Sequence, residues 1–222
     1  MQPPIYDSKE ARIRRLEAQV GRLLHDYRIG ASFIGSFPEA ASSMSLRHAG
    51  NDYHLSNTLN VRPTLVPTGT APNLLYAVPF YIPNIGSIAS RIAIEVTTLQ
   101  SGNARLGIYD SDRNLYPSRL LLDAGVVSTS STGVKASSVF RQGLTRGLKW
   151  LAVVYSASPT VRGIMASTPN VGGWNPLGVN LGTWAYYMGW QVAHSYAALP
   201  AVYPAGGSKN VQISTLMLRF AV

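Results

Sequence analysis

Arg91-Ile92-Ala93-Ile94-Glu95-Val96 decides the fold. Ile92, Ile94 and Val96 fall on one side of an extended chain, with Arg91, Ala93 and Glu95 on the other, the period-2 alternation of a half-buried β-strand. The chain's end repeats it: Leu216, Leu218, Phe220 and Val222 share a face, opposite Thr215, Met217 and Arg219. Working outward from 91–96, short apolar or alternating runs at 74–82, 91–98, 104–110, 119–128, 134–141, 148–156, 160–167, 184–194 and 211–222 read as strands. Turn residues separate them, among them Ser101-Gly102-Asn103, Asp110 to Asn114, Ser131 to Gly133 and Ala205-Gly206-Gly207-Ser208. About nine strands with no helical period after residue 30 predict an all-β fold, a jelly-roll-like antiparallel β-sandwich over 74–222, and the alternation within 91–98 and 211–222 predicts one face of each of those two strands wet or against a partner. The large side chains of Leu120 to Leu122 and Trp150 to Tyr155 mark the expected centre strands of the two sheets.

The N-terminal 30 residues obey a different period. Asp7 and Glu10 form a capping-box start and Gly30 a C-terminal stop. Between them Ile13, Leu16, Val20, Leu23 and Tyr27 alternate spacings of three and four, the seam of a short coiled-coil helix. With Ile13 at an a position, Arg12 and Glu17 fall where parallel neighbours pair across the seam, and Leu24 widens the apolar face toward three strands. Residues 1–30 are therefore expected to oligomerise the chain as a homotrimer. Residues 31–73, with Pro38, Pro63, Pro67 and Pro72 and no sustained period, read as an extended arm or linker holding one strand near 58–66.

Composition narrows the function classes. With no cysteine there is neither a disulfide framework nor a thiolate metal site. No apolar run reaches the roughly 18 residues of a membrane-spanning helix, so no membrane insertion is expected. The net charge of +9 favours anionic surroundings, but beyond residue 30 the basic residues are scattered singly, which argues against nucleic acid as a partner. Arg outnumbers Lys by 15 to 4, a balance suited to interface pairing.

Catalytic and metal chemistry find little to use. Asp110, Asp112 and Asn114 have the spacing of a calcium loop, but Leu115 stands where that loop needs Gly and no closing Glu follows, so an ordinary polar turn is expected. The acids after residue 30, Glu39, Asp52, Glu95, Asp110, Asp112 and Asp123, form no recognisable glycosidase pair. His25, His48, His54 and His194 lack metal spacing, and no serine has a nucleophile-elbow context. No catalytic residue, metal site or cofactor is expected.

Aromatic residues are the most suggestive feature. Trp174, Trp184, Tyr186, Tyr187, Trp190, Tyr196 and Tyr203 fall within 30 residues, and such rings either fill a core or interface or stack on sugars. The Gly-rich segment with Trp174, Asn175 and Asn180, together with Tyr187, is the candidate glycan-binding site. Strand-borne Trp184 and Trp190 are expected to pack.

The ordered series Leu75-Tyr76-Ala77-Val78-Pro79-Phe80, 91–96, Ala104-Arg105-Leu106-Gly107-Ile108-Tyr109, Leu120-Leu121-Leu122-Asp123-Ala124-Gly125, Ser130 to Lys135 and Gly147-Leu148-Lys149-Trp150-Leu151-Ala152 resembles a family of tailed-bacteriophage virion structural proteins. Ala198-Leu199-Pro200 and Tyr203-Pro204-Ala205-Gly206 extend the resemblance, which spans about residues 55 to 222. Lys149 stands where the family pattern has Gly or Tyr before the Trp. The resemblance implies a β-sandwich on a tail fibre, spike or capsid projection, located in the virion and assembled in the host cytoplasm. Its expected role is attachment, to host surface polysaccharide or to other virion proteins; the alternative is a capsid decoration or cement protein anchored by its N-terminal region.

A helix of some 20 residues is marginal alone in water. The full chain should therefore sediment as a trimer and a chain lacking residues 1–30 as a monomer in analytical ultracentrifugation.

Overall fold

From Leu74 onward, runs rich in Val, Ile, Leu and aromatic residues leave the backbone little choice but extended pairing. The computed structural model describes residues 53–55, 64–82, 87–165, 177–180, 182 and 185–221. The helix expected over 7–29, with its seam residues, lies outside the described residues. Within them the strands are β1 (Tyr53–Leu55), β2 (Thr64–Gly69), β3 (Leu74–Ile82), β4 (Ser87–Thr98), β5 (Asn103–Ser111), β6 (Pro117–Ser128), β7 (Gly133–Ala136) and β8 (Gln142–Leu144). They continue as β9 (Gly147–Tyr155), β10 (Thr160–Met165), β11 (Val179–Asn180), β12 (Ala185–Tyr186), β13 (Gly189–Ala193), β14 (Ser208–Asn210), β15 (Gln212–Ser214) and β16 (Met217–Phe220). No described residue is helical.

The result is all-β, with two main antiparallel sheets stacked as a sandwich. One has six strands in the order β14-β13-β3-β9-β5-β6. The other has eight and is organised around β4, which pairs with β16 and β10 along one edge and with β7 and β8 along the other. β1 extends it beside β16 and β2 beside β10, while β11 and β12 form a separate two-stranded ribbon. β15 is antiparallel to β10 and β16 to β4, yet β10 and β4 are themselves antiparallel. The chain must therefore turn sharply at Thr215–Leu216, which splits what alternation alone reads as one strand over 211–222.

Two further departures from the sequence reading have clear causes. The predicted 31–73 linker contributes β1 and β2 to the eight-stranded sheet. β2 overlaps the strand expected near 58–66 at residues 64–66 and runs on through Pro67, which is tolerated because β2 is an edge strand with one paired side. Leu120 to Leu122 and Trp150 to Tyr155 do not centre two different sheets: both belong to the six-stranded sheet, β9 inside it and β6 at its edge. Leu120, Leu121 and Leu122 are accordingly only half-buried.

The inner layer joins the sheets. Val78, Phe80, Leu106, Ile108, Leu151 and Val153 of the six-stranded sheet face Ile92, Ile94, Val96, Ile164, Leu218 and Phe220 of the other, all within one apolar cluster. Phe80 and Phe220 stack tilted across it with centroids 6.2 Å apart. At this layer's margin Tyr155 donates its buried hydroxyl to Ser214 Oγ at 3.0 Å, tying one sheet to the other. The crossing from β6 to β7 is pinned by fully buried Thr129, whose amide donates to Gly102 O at 2.9 Å and whose hydroxyl donates to Gln100 O at 2.9 Å. Lys149 is also buried, and its ammonium meets Asp110 Oδ1 at 2.8 Å across the β5–β9 ladder.

Burial holds the phenols of Tyr109, Tyr155 and Tyr203 above the ordinary tyrosine value of 10.0; Ser214 opposes the shift at Tyr155, and the Asp123 charge adds to it at Tyr109. A proton held more tightly by the folded than by the unfolded chain gives stability that is complete below the unfolded value and fades as pH rises through the folded one. The denaturant midpoint should thus stay level up to about pH 9 and fall above about pH 10. Phenolate absorbance should rise together with the loss of near-ultraviolet circular dichroism; free titration of all tyrosines at full structure would contradict this assignment.

Candidate functional site

Strands β3 and β9 carry apolar residues at consecutive positions rather than alternate ones, from Leu74 to Ile82 and from Trp150 to Tyr155. Such runs need cover on both faces. On the outer face of the six-stranded sheet, Leu75, Ala77, Tyr109, Trp150, Ala152 and Val154 form a second apolar cluster that is fully buried. This outer face is covered because the chain itself supplies a lid. Leu177 packs into this cluster, and the segment 194–203 crosses it as a strap that inserts Leu199 and Tyr203.

Specific hydrogen bonds hold the strap down. Asn73, in the left-handed conformation at φ 59°, accepts the His194 amide on its carbonyl at 3.0 Å and the Tyr196 amide on Oδ1 at 2.8 Å. Asp123, clamped by Arg105 Nε at 2.8 Å and by the Gly125 amide at 3.1 Å, receives the Leu199 amide at 3.2 Å. Tyr109 donates its hydroxyl to Pro200 O at 2.9 Å, and Tyr203 donates to Leu75 O at 2.7 Å. These two rings meet edge to face with centroids 5.2 Å apart. The Leu120 amide reaches Ala201 O at 2.9 Å and the Tyr203 amide reaches Ser118 O at 2.7 Å, so the strap also pairs with β6. Gly107 is required beneath it, since a Cβ there would collide with Leu199 Cδ1 and the Leu122 carbonyl.

Where the strap ends, the aromatic layer reaches solvent. Trp190 on β13 and Tyr187 just before it are half-buried, each with one side against the second cluster. Lys209 on β14 is the cross-strand partner of Trp190 and places Nζ 5.0 Å from the centroid of the Tyr187 ring, a cation–π contact. Tyr116, 43% exposed, comes from the β5–β6 turn and meets Trp190 edge to face at 5.1 Å, with 69° between the planes. That turn is set by Asp112, whose Oδ1 accepts the amides of Asn114 at 2.8 Å and Tyr116 at 2.9 Å, and by Leu115 in the left-handed region at φ 67°. Leu115 pays roughly 1–2 kcal/mol for this conformation, which presents Tyr116 to Trp190. Tyr116, Trp190, Tyr187 and Lys209 thus form an aromatic edge carrying one cation.

Of the candidate glycan residues, Tyr187 belongs to this edge. Trp174 and Asn175 lie outside the described residues, as does the side chain of Asn180, whose backbone pairs with Ala185 in the β11–β12 ribbon. Trp184 is outside them as well. Trp190 both packs and shows a free side, while Tyr196 and Tyr203 belong to the strap. Sequence reasoning missed Tyr116 and Lys209, which are remote from the 174–203 cluster or separated from it by a turn. In the Asp110–Asn114 segment Asp112 Oδ1 accepts the turn amides, and Asp110 Oδ1 accepts Lys149 Nζ and the Ser111 amide at 3.0 Å. Among the described residues no group of three or more His, Cys, Asp or Glu side chains is placed to hold a metal ion.

Gly207 lies under Trp190, where an added Cβ would collide with Nε1 and come within 2.8 Å of the Gln191 carbonyl. Gly207→Ala should cost about 1–3 kcal/mol in denaturant titration and shift tryptophan emission. Gly143→Ala, with open space around the new methyl, should leave both unchanged. In comparison with known proteins, no protein-family model matches the chain, and no curated protein matches it.

Proposed function

We propose that this chain is a non-enzymatic structural protein of a tailed-phage virion, a trimeric fibre or spike component that attaches to host surface glycan or to another virion part. In this reading residues 1–30 form the bundling coiled coil, residues 31–73 form an arm whose β1 and β2 join the eight-stranded sheet, and a jelly-roll-like sandwich forms each lobe. The mechanism is avidity: three weak sites held close by one stalk act together, so modest contact at each lobe suffices.

One observation carries the attachment reading. The sandwich closes its own outer face with the strap, yet leaves Tyr116, Trp190 and Tyr187 beside Lys209 at the edge of that cover. Flat apolar rings next to a hydrogen-bond donor suit sugar rings, which stack through their C–H faces while their hydroxyls and acidic groups meet polar side chains. Tyr187 is also one of the glycan contacts, with Trp174, Asn175 and Asn180, that the sequence offers. The resemblance to virion proteins over residues 55 to 222 supports the same reading.

A second reading, capsid decoration, is favoured by Val126 and Val134, which are 49% and 57% exposed on β6 and β7. Exposed apolar side chains on edge strands suit a protein neighbour better than a sugar.

The two readings diverge on one experiment. For a fibre or spike, Trp190→Ala and Trp174→Ala in the full chain should each weaken binding to host cells by about tenfold, the worth of one aromatic contact. Removing residues 1–30 should abolish trimers while each lobe keeps its weak affinity. For a decoration protein, the same deletion should abolish co-sedimentation with empty capsids, and the aromatic substitutions should leave particle attachment unchanged.

A further inference from the structure

The distribution of charge around the aromatic edge narrows what it takes. Between residues 64 and 221 the sequence holds eleven Lys and Arg but only four carboxylates. Each carboxylate is engaged within the fold. Glu95 is gripped by Arg162 through two bonds of 3.0 and 3.1 Å, which hold its carboxyl below the usual range. Asp123 is clamped by Arg105 and caps the strap. Asp110 neutralises Lys149, with Arg119 at 4.0 Å. Asp112 caps the turn that carries Tyr116.

None of these acids pairs with Lys209. Its ammonium is exposed and lies over the Tyr187 ring, which fixes its direction without neutralising it. The turn that brings Tyr116 to Trp190 also carries Arg113, likewise exposed. A cation with no acidic partner among the described residues, held beside an aromatic corner, is complementary to a ring-shaped ligand that bears a negative charge. A neutral sugar would use the rings and leave the ammonium idle; a duplex nucleic acid would use the charge and leave the rings idle, besides needing a stripe of cations.

We propose that the edge formed by Tyr116, Trp190, Tyr187 and Lys209 binds a carboxylate-bearing polysaccharide, one sugar ring against the Trp190–Tyr116 corner and its carboxylate at Lys209 Nζ. This rests on the attachment reading above and specifies its ligand class. Tyr187 acts as a positioning residue, since its ring holds the ammonium.

The test is isothermal calorimetry on the full chain at moderate salt. The probes are polygalacturonate, polyglucuronate and a sialic-acid homopolymer, each paired with its carboxyl-reduced form, with a duplex DNA of similar charge as the polyanion control. At least one acidic polymer should bind about tenfold or more tightly than its reduced form, with an affinity that falls as salt rises. Lys209→Met should weaken the acidic polymer by about fivefold and leave the reduced form unchanged. Tyr116→Ala, a substitution at an exposed turn, should weaken both. Equal binding of acidic and reduced forms would overturn the charge assignment while leaving glycan attachment standing. DNA binding as tight as the best polysaccharide and indifferent to Tyr116→Ala would overturn the proposal in favour of simple polyanion attraction. No binding to any polymer, with host-cell attachment intact, would overturn it as well; loss of both would remove the attachment reading too.

Discussion

The outer face of the six-stranded sheet is the constraint on which the rest of the structure depends. Trp150, Tyr109, Ala152, Val154, Leu75 and Ala77 turn away from the inter-sheet core, and all are fully buried. Leaving even a few such side chains in water would cost roughly 1.5–3 kcal/mol each, comparable in sum to the whole stability of a domain. The strap over 194–203 removes that exposure, and its backbone, which lies over an apolar surface, is satisfied by Asn73, Asp123, Ser118, the Leu120 amide and the Tyr109 hydroxyl. The sandwich therefore has three layers at this side: the eight-stranded sheet, the six-stranded sheet and a covering segment without regular structure.

The candidate site follows from where that cover stops. Trp190 and Tyr187 continue the aromatic layer past the strap, and the β5–β6 turn folds Tyr116 toward them. Because Trp190 and Tyr187 are packed on one side against the second cluster, a ligand meeting them loses little of its binding energy to ordering these two side chains. The carboxylates are spent on internal tasks, capping a turn, holding the strap and neutralising a buried lysine, which leaves the lobe's surface charge positive.

Much of the architecture was legible in the sequence, and the places where it was not have physical causes. The strand expected over 74–82 has the bounds of β3, and those near 91–98, 104–110 and 148–156 differ from β4, β5 and β9 by a few residues at their ends. The apolar runs Leu74 to Ile82 of β3 and Trp150 to Tyr155 of β9 carried the signal of burial on both faces. The strand expected near 58–66 reaches only the start of β2, which runs on through its proline, and the 184–194 run splits because Ala185–Tyr186 pair with β11 whereas Gly189–Ala193 pair with β3 and β14. Of the site, Tyr187 could be found from aromatic crowding alone. Tyr116 could not, since its contact with Trp190 depends on a left-handed Leu115 and on a pairing between residues far apart in the chain. The strap was equally hidden: its anchors at Asn73, Asp123 and Tyr109 follow no period.

Hydrogen exchange on the native full chain tests the strap most directly. If it is an integral layer, the amides of Leu120, Leu199 and Tyr203 exchange only through the global opening that also releases the amides of β9. Rapid exchange of Leu199 and Tyr203 while β9 keeps its full protection would contradict the account, since the outer face of the sheet would then be stable without its cover.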